Sequence, residues 1–142
     1  MQKRLILPFL LIIIIIALSC TKKVVEVRYA PVLYDLVAPD SIQRGSTDIY
    51  YIFVTVYDPD GLSNVDSVYF IATRPDSTSN GLHLGLRDDA QFGDSVANDG
   101  RFTLGIRAGD SNSQLGNYKF TFYARDKQGD ISNTPQAIVT EY

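Results

Sequence analysis

The stretch Asp48 to Gly61, DIYYIFVTVYDPDG, decides the fold. Tyr50, Ile52, Val54 and Val56 fall on one face of an extended chain, with Tyr51, Phe53, Thr55 and Tyr57 on the other. Side chains alternate sides in a strand, and β-branched and aromatic residues favour strands, so this is a strand with one buried face. Asp58-Pro59-Asp60-Gly61 then supplies turn chemistry: proline presets φ, aspartate bonds its own backbone, and glycine accepts a positive φ.

The same pattern recurs along the chain. Pro31 to Val37 reads as a first strand. Val65 to Thr73 groups Val68, Phe70 and Ala72. Gly81 to Arg87 sets Leu82, Leu84 and Leu86 against His83, Gly85 and Arg87, and Arg101 to Arg107 aligns Phe102, Leu104 and Ile106. Asn117 to Arg125 aligns Tyr118, Phe120, Phe122 and Ala124, and Gln136 to Tyr142 closes the set. No window shows helical spacing. The chain has 14 Asp and 2 Glu, and Asp serves turns where Glu serves helices. These features predict an all-β chain, a seven-stranded antiparallel β-sandwich over residues 31–142.

Three motifs in order carry a resemblance. Asp58-Pro59-Asp60-Gly61-Leu62 resembles the B–C turn of bacterial immunoglobulin-like and fibronectin type III-like domains. DDAQFGDSVANDGRFT, Asp88 to Thr103, resembles a loop-and-strand signature of secreted bacterial repeats. Gly116-Asn117-Tyr118-Lys119-Phe120 resembles the start of strand F, where the resemblance implies that a tyrosine hydroxyl bonds back to the preceding corner. Without tryptophan, and with one cysteine, the chain lacks the Cys…Trp…Cys set of antibody domains.

The first twenty residues, MQKRLILPFLLIIIIIALSC, have the layout of a secretory signal: a basic head at Lys3 and Arg4, then an apolar run. Leu5 to Leu18 contains Pro8 and is short of the roughly 17 apolar residues a spanning helix needs. Ala17-Leu18-Ser19-Cys20 resembles the bacterial lipoprotein box, with Ala17 where the family carries Leu. The resemblance implies a signal peptide at 1–19, lipidation of Cys20, and firm anchoring, since more than one acyl chain is needed to hold a membrane. Thr21 stands where the family's inner-membrane retention signal carries Asp, so the cell envelope, at the outer membrane where the host has one, is the expected location. Residues 20–30 then form the lipidated cysteine and a tether. Extended at about 3.3 Å per residue, Thr21 to Ala30 reaches roughly 30 Å from the lipid.

Removing the signal leaves 11 of the 13 basic side chains and all 16 acidic ones, a formal charge of −5. Nucleic acid as a partner needs a basic face and is not expected. With no second cysteine, the core holds by packing alone.

In a fibronectin-like order the second, fourth and sixth strands run the same way. Their exits, Asp58 to Asn64, Asp88 to Asp99 and Asp126 to Asn133, therefore share one end and make it acidic. These aspartates read either as Asx-turn formers or as oxygen ligands for calcium, with Asp88, Asp89, Asp94 and Asp99 the candidate ligands. Against an EF-hand, Ala90, Phe92 and Asp99 stand at loop positions that need ligands or Glu.

An enzyme is not expected. His83 is the one histidine, placed mid-strand between leucines, and a triad needs nucleophile, base and orienter in mutual reach. The outward tyrosines Tyr51, Tyr57, Tyr69 and Tyr123 are the candidate binding surface, since aromatics are enriched at interfaces. Two functions follow. One is a lipid-anchored envelope accessory domain that binds protein through a sheet face or edge strand. The other is a calcium-stabilised carbohydrate-binding or adhesion module. A coplanar strip of outward aromatics marks the sugar reading, and a flat exposed edge with little charge marks the protein one.

Overall fold

The computed structural model describes residues 27–142. The expected signal peptide, the expected lipidation site Cys20 and the expected tether up to residue 26 lie outside the described residues. Eight strands form two sheets: β1 Val32–Val37, β2 Ser41–Ile42, β3 Tyr50–Tyr57, β4 Val65–Thr73, β5 Leu84–Leu86, β6 Arg101–Ile106, β7 Gly116–Asp126 and β8 Gln136–Glu141. The order is β1-β3-β6 in one sheet and β2-β8-β7-β4-β5 in the other. Among the described residues, one turn of 3-10 helix, Leu62–Asn64, interrupts the all-β arrangement.

The predicted alternation sets the core. Ile52 and Val54 from β3, Phe70 from β4, Phe122 and Ala124 from β7 and Val139 from β8 are fully buried between the sheets. Phe70 is the hinge of the packing: its ring lies 4.6 Å from Phe120 and 5.1 Å from Phe122, centroid to centroid, within the range where aromatic pairs attract.

The structure corrects the strand count from seven to eight. The added strand, β2, is two residues long and runs parallel to β8, with Ser41 against Thr140 and Ile42 against Glu141. Two residues show no period in a sequence, and the pairing depends on β8, a hundred residues away in the chain. A second correction concerns Gly81 to Arg87. Only Leu84–Leu86 pairs with β4, and Leu82 is exposed, because the segment before it turns at Gly81, φ +67.

The three acidic exits share one end of the sandwich. Val56 N–H donates to the Gly100 carbonyl at 2.8 Å, and Lys127 N–H to the Asn64 carbonyl at 2.9 Å. Asn64 also donates its side-chain amide to Asp58 Oδ2 at 3.1 Å. These bonds join the first loop to the third, and the second meets them where Leu62 lies beside Gly100. At the other end Gly45 N–H reaches the Gly109 carbonyl at 3.0 Å, and Arg44 reaches the Ser113 carbonyl at 3.3 Å.

Tyr118 belongs to that second end. Its hydroxyl donates to the Gln114 carbonyl at 2.8 Å, the corner bond that the strand F motif implied. Burial, then the nearby charge of Glu141, pushes the phenol above its ordinary value. The folded chain therefore holds the proton more tightly than the unfolded one. Stability from this group is complete below about pH 10 and falls as pH rises through the folded value. Unfolding midpoints measured from pH 8 to 11 should drop at the alkaline end in the parent protein. Tyr118→Phe should lose part of that slope and, at pH 7, about 1 kcal/mol for the corner bond.

Candidate functional site

Two surfaces meet at the boundary of β5 and β6. The first is the acidic loop from Asp88 to Gly100. Asp88 staples it shut: Oδ2 accepts from Gly100 N–H at 2.8 Å and Oδ1 from Asp99 N–H at 3.3 Å. Asp94 accepts from Ala90 N–H at 2.6 Å and Val96 N–H at 3.3 Å, and Asp99 from Arg101 N–H at 2.8 Å. The bonds of Asp94 to Val96 and of Asp99 to Arg101 are Asx-type, local competitors of regular structure, whereas those of Asp88 span the loop. They also draw the carboxylates of Asp88, Asp94 and Asp99 together, with one oxygen from each within 4.8 Å of the others. Asp89 is not part of this group. Its carboxylate accepts from Gln91 N–H at 3.2 Å and stands 3.9 Å from Arg87.

The loop carries three non-glycine residues with positive φ: Ala90 at 57°, Phe92 at 52° and Asn98 at 60°. For a bulky side chain that conformation is unusual. Here it turns Phe92 outward, 66% exposed. Gly93, φ +96, lies flat on the Tyr51 ring, where a Cβ would come within 2.5 Å of Cδ1. Glycine is required there for both reasons.

The second surface is a groove of about 430 Å³ beside that loop. Ile49, Tyr51 and Phe92 supply apolar surface, Gly85 and Gly105 expose backbone, and Arg87 and Arg107 stand at its rim. Arg101, Thr103 and Gly105 share the outer face of β6, opposite Thr55, Phe53 and Tyr51 of β3. Arg101 lies over the Phe53 ring at 4.2 Å, a cation–π contact. The Thr103 hydroxyl is buried and has no hydrogen-bond partner among the described residues.

The four tyrosines do not form one surface. Tyr51 and Tyr57 stand near opposite ends of β3 on the small sheet, Tyr51 held between Gly93 and Gly105, Tyr57 59% exposed. Tyr69 and Tyr123 pair across β4 and β7 on the outer face of the large sheet. Their rings lie 5.3 Å apart at 18°, and His83 lies on Tyr69 at 4.1 Å and 9°. Coplanar rings cannot approach so closely without overlap. The three rings therefore stand stacked, showing edges rather than faces to solvent. His83, exposed, is the end of this stack.

Reasoning from sequence missed Phe92, Thr103 and the two rim arginines. One signal was present: Gly105 breaks the outward row of its strand, and a glycine inside a strand marks close approach.

No known family's sequence model matches the chain, and no curated protein sequence does. Solved structures do. A structure of the fibronectin(III)-like modules of CbhA from Clostridium thermocellum superposes with a TM-score of 0.51 at 16% identity, over 82% of this chain and 48% of that one. The PKD domain of an M14-like peptidase from a Thermoplasmatales archaeon gives 0.49 at 14% identity, over 81% and 98%. The SrpA adhesin from Streptococcus sanguinis gives 0.49 at 13%, over 83% and 59%. This chain spans about half of the CbhA structure. At such identity the likeness speaks to the backbone alone. The strands from Val32 to Glu141 form an immunoglobulin-like, fibronectin III-like β-sandwich.

Proposed function

We propose that the protein is a lipid-anchored, non-enzymatic module of the cell envelope that binds another protein. The observation that carries this reading is the groove beside β6, which combines exposed aromatics, bare backbone and paired arginines on a chain that is otherwise acidic. Interfaces are enriched in aromatics and arginine. The anchor rests on the motif Ala17 to Cys20, which puts the sandwich on a tether at the outer membrane where the host has one. No nucleic acid is expected as a partner.

The test is made in cells. A photo-crosslinking phenylalanine analogue is placed in turn at Tyr51, Tyr57 and Tyr123, and cells are fed an alkyne fatty acid. The expected result is a lipid label on the chain, absent in Cys20→Ser, and crosslinks to an envelope protein. A chain without label in the parent protein overturns the anchor. An absence of crosslinks from all three positions overturns the protein-binding reading.

A calcium-stabilised adhesion module is the second reading, favoured by the convergence of Asp88, Asp94 and Asp99. The carboxylates that staple the loop keep lone pairs, so a hard cation can still be held there. The stacked rings of His83, Tyr69 and Tyr123 offer no coplanar platform to a sugar, which weakens the carbohydrate form of this reading. Calcium added to the full chain in detergent should raise its thermal midpoint, by an amount equivalent to about 2.7 kcal/mol at a hundredfold excess over Kd. The Asp94→Ala, Asp99→Ala double variant should lose the shift. If millimolar calcium moves nothing, the aspartates are turn formers.

A further inference from the structure

β5 and β6 begin as partners and then part. Arg87 and Thr103 exchange both backbone hydrogen bonds, at 2.9 and 2.7 Å. Two residues on, the strands belong to different sheets: Gly85 follows β5 along β4, and Gly105 follows β6 along β3. Backbone groups point the same way at every second residue of a strand. The N–H and C=O of Gly105 therefore face away from β3, as those of Thr103 do. Those of Gly85 face away from β4, as those of Arg87 do. Both edges look into the groove, and among the described residues neither finds a strand partner there.

Exposed edges of this kind template further pairing unless they are covered or charged. Here the side chains around the edge favour one kind of strand. Ile49 and Tyr51 pack over Gly105, where a Cβ would come within 2.8 Å of Ile49, and with Phe92 they give the groove an apolar wall beside that edge. Arg107 beyond it and Arg87 across the groove are exposed, and Arg101 adds a third charge on the same face of β6. The chain as a whole is acidic, so a cationic rim selects for sign.

We propose that the gap between β5 and β6 docks an extended acidic peptide segment of a partner protein, which adds a short strand to the free edge of β6 at Gly105. Main-chain bonds to Gly105 supply a sequence-independent hold. The apolar wall of Ile49, Tyr51 and Phe92 beside Gly105 takes one apolar or aromatic side chain, and carboxylates on either side of it meet Arg87 and Arg107. This rests on the protein-binding reading and assigns it a place and a partner chemistry.

The probe is a capped pentapeptide, Asp-Val-Tyr-Val-Asp, with Lys-Val-Tyr-Val-Lys as control. Each is titrated into the ¹⁵N-labelled full chain in detergent. The acidic peptide should shift the amides of Gly85, Gly105 and Arg107, and the basic one should leave them in place. Arg87→Glu with Arg107→Glu, both on exposed side chains, should weaken the acidic peptide at least about tenfold and admit the basic one. No amide shift in the groove at millimolar acidic peptide overturns the proposal, as does equal binding of both peptides. The cellular crosslinks separate this failure from that of the reading beneath it. Crosslinks from Tyr123 but not Tyr51 remove the groove and keep a protein partner, whereas none from any position removes both.

Discussion

Phe70→Ala will cost about 3–5 kcal/mol, the range for truncating a buried aromatic ring. The ring has no exposed surface and touches both Phe120 and Phe122. It also borders a second cavity, about 540 Å³, at the end of the sandwich near Glu141. The two sheets are held apart by their other residues, so the space left behind will not close, and it will open toward that cavity. Domains of this size are stable by about 5–15 kcal/mol, so the variant will be marginal at 37 °C. With no tryptophan in the chain, urea unfolding is followed by tyrosine fluorescence and far-UV circular dichroism. Phe92→Ala is the internal comparison: that ring is 66% exposed, and its loss should stay within about 0.5 kcal/mol. Equal costs for the two would mean that the packing around Phe70 is wrong.

Asp88→Ala will free the acidic loop. The carboxylate bonds two backbone N–H groups eleven and twelve residues away, so a single side chain closes the whole loop. Hydrogen bonds to a charged group contribute about 1.5–3 kcal/mol each, and the surface position puts the expected loss at about 2–3 kcal/mol in total. The local effect should be larger than the global one. Amide exchange should speed up at Asp99 and Gly100, and the Tyr51 ring should lose its cover by Gly93. Asp88→Asn keeps one carbonyl oxygen and should recover part of the loss. Asp89→Ala removes an exposed ion pair at 3.9 Å and one exposed local bond from Gln91 N–H at 3.2 Å, and should cost no more than about 1 kcal/mol. If Asp89→Ala costs as much as Asp88→Ala, the division of roles between the two aspartates fails.

These two variants also divide the protein into what holds the fold and what shapes the surface. The core is built from alternate positions of each strand that pack on other strands, as Phe70 does on Phe120 and Phe122. The loop is closed by carboxylates that bond its own backbone, and the groove is lined by residues of that loop, β3, β5 and β6.

Period-two alternation was enough to place Ile52, Val54, Phe70, Phe122 and Ala124 inside, because burial of one strand face depends only on the strand's own residues. The turn at Asp58 to Gly61 and the corner at Tyr118 were equally legible, since their bonds span four residues or fewer. The acidic exits were placed at one end by strand direction alone. Four things were decided only by the tertiary structure. β2 exists because β8 is beside it, and its two residues carry no pattern of their own. Asp89 parts from Asp88, Asp94 and Asp99 because the loop's φ values, not its composition, aim each carboxylate. The outward tyrosines divide between two sheets, and their stacking follows from the register of β4 against β7. The groove appears because β5 leaves β6 for another sheet after one bridge. A sequence records each strand's faces, but which edge lies beside which, and where two edges separate, is set by packing between strands far apart in the chain.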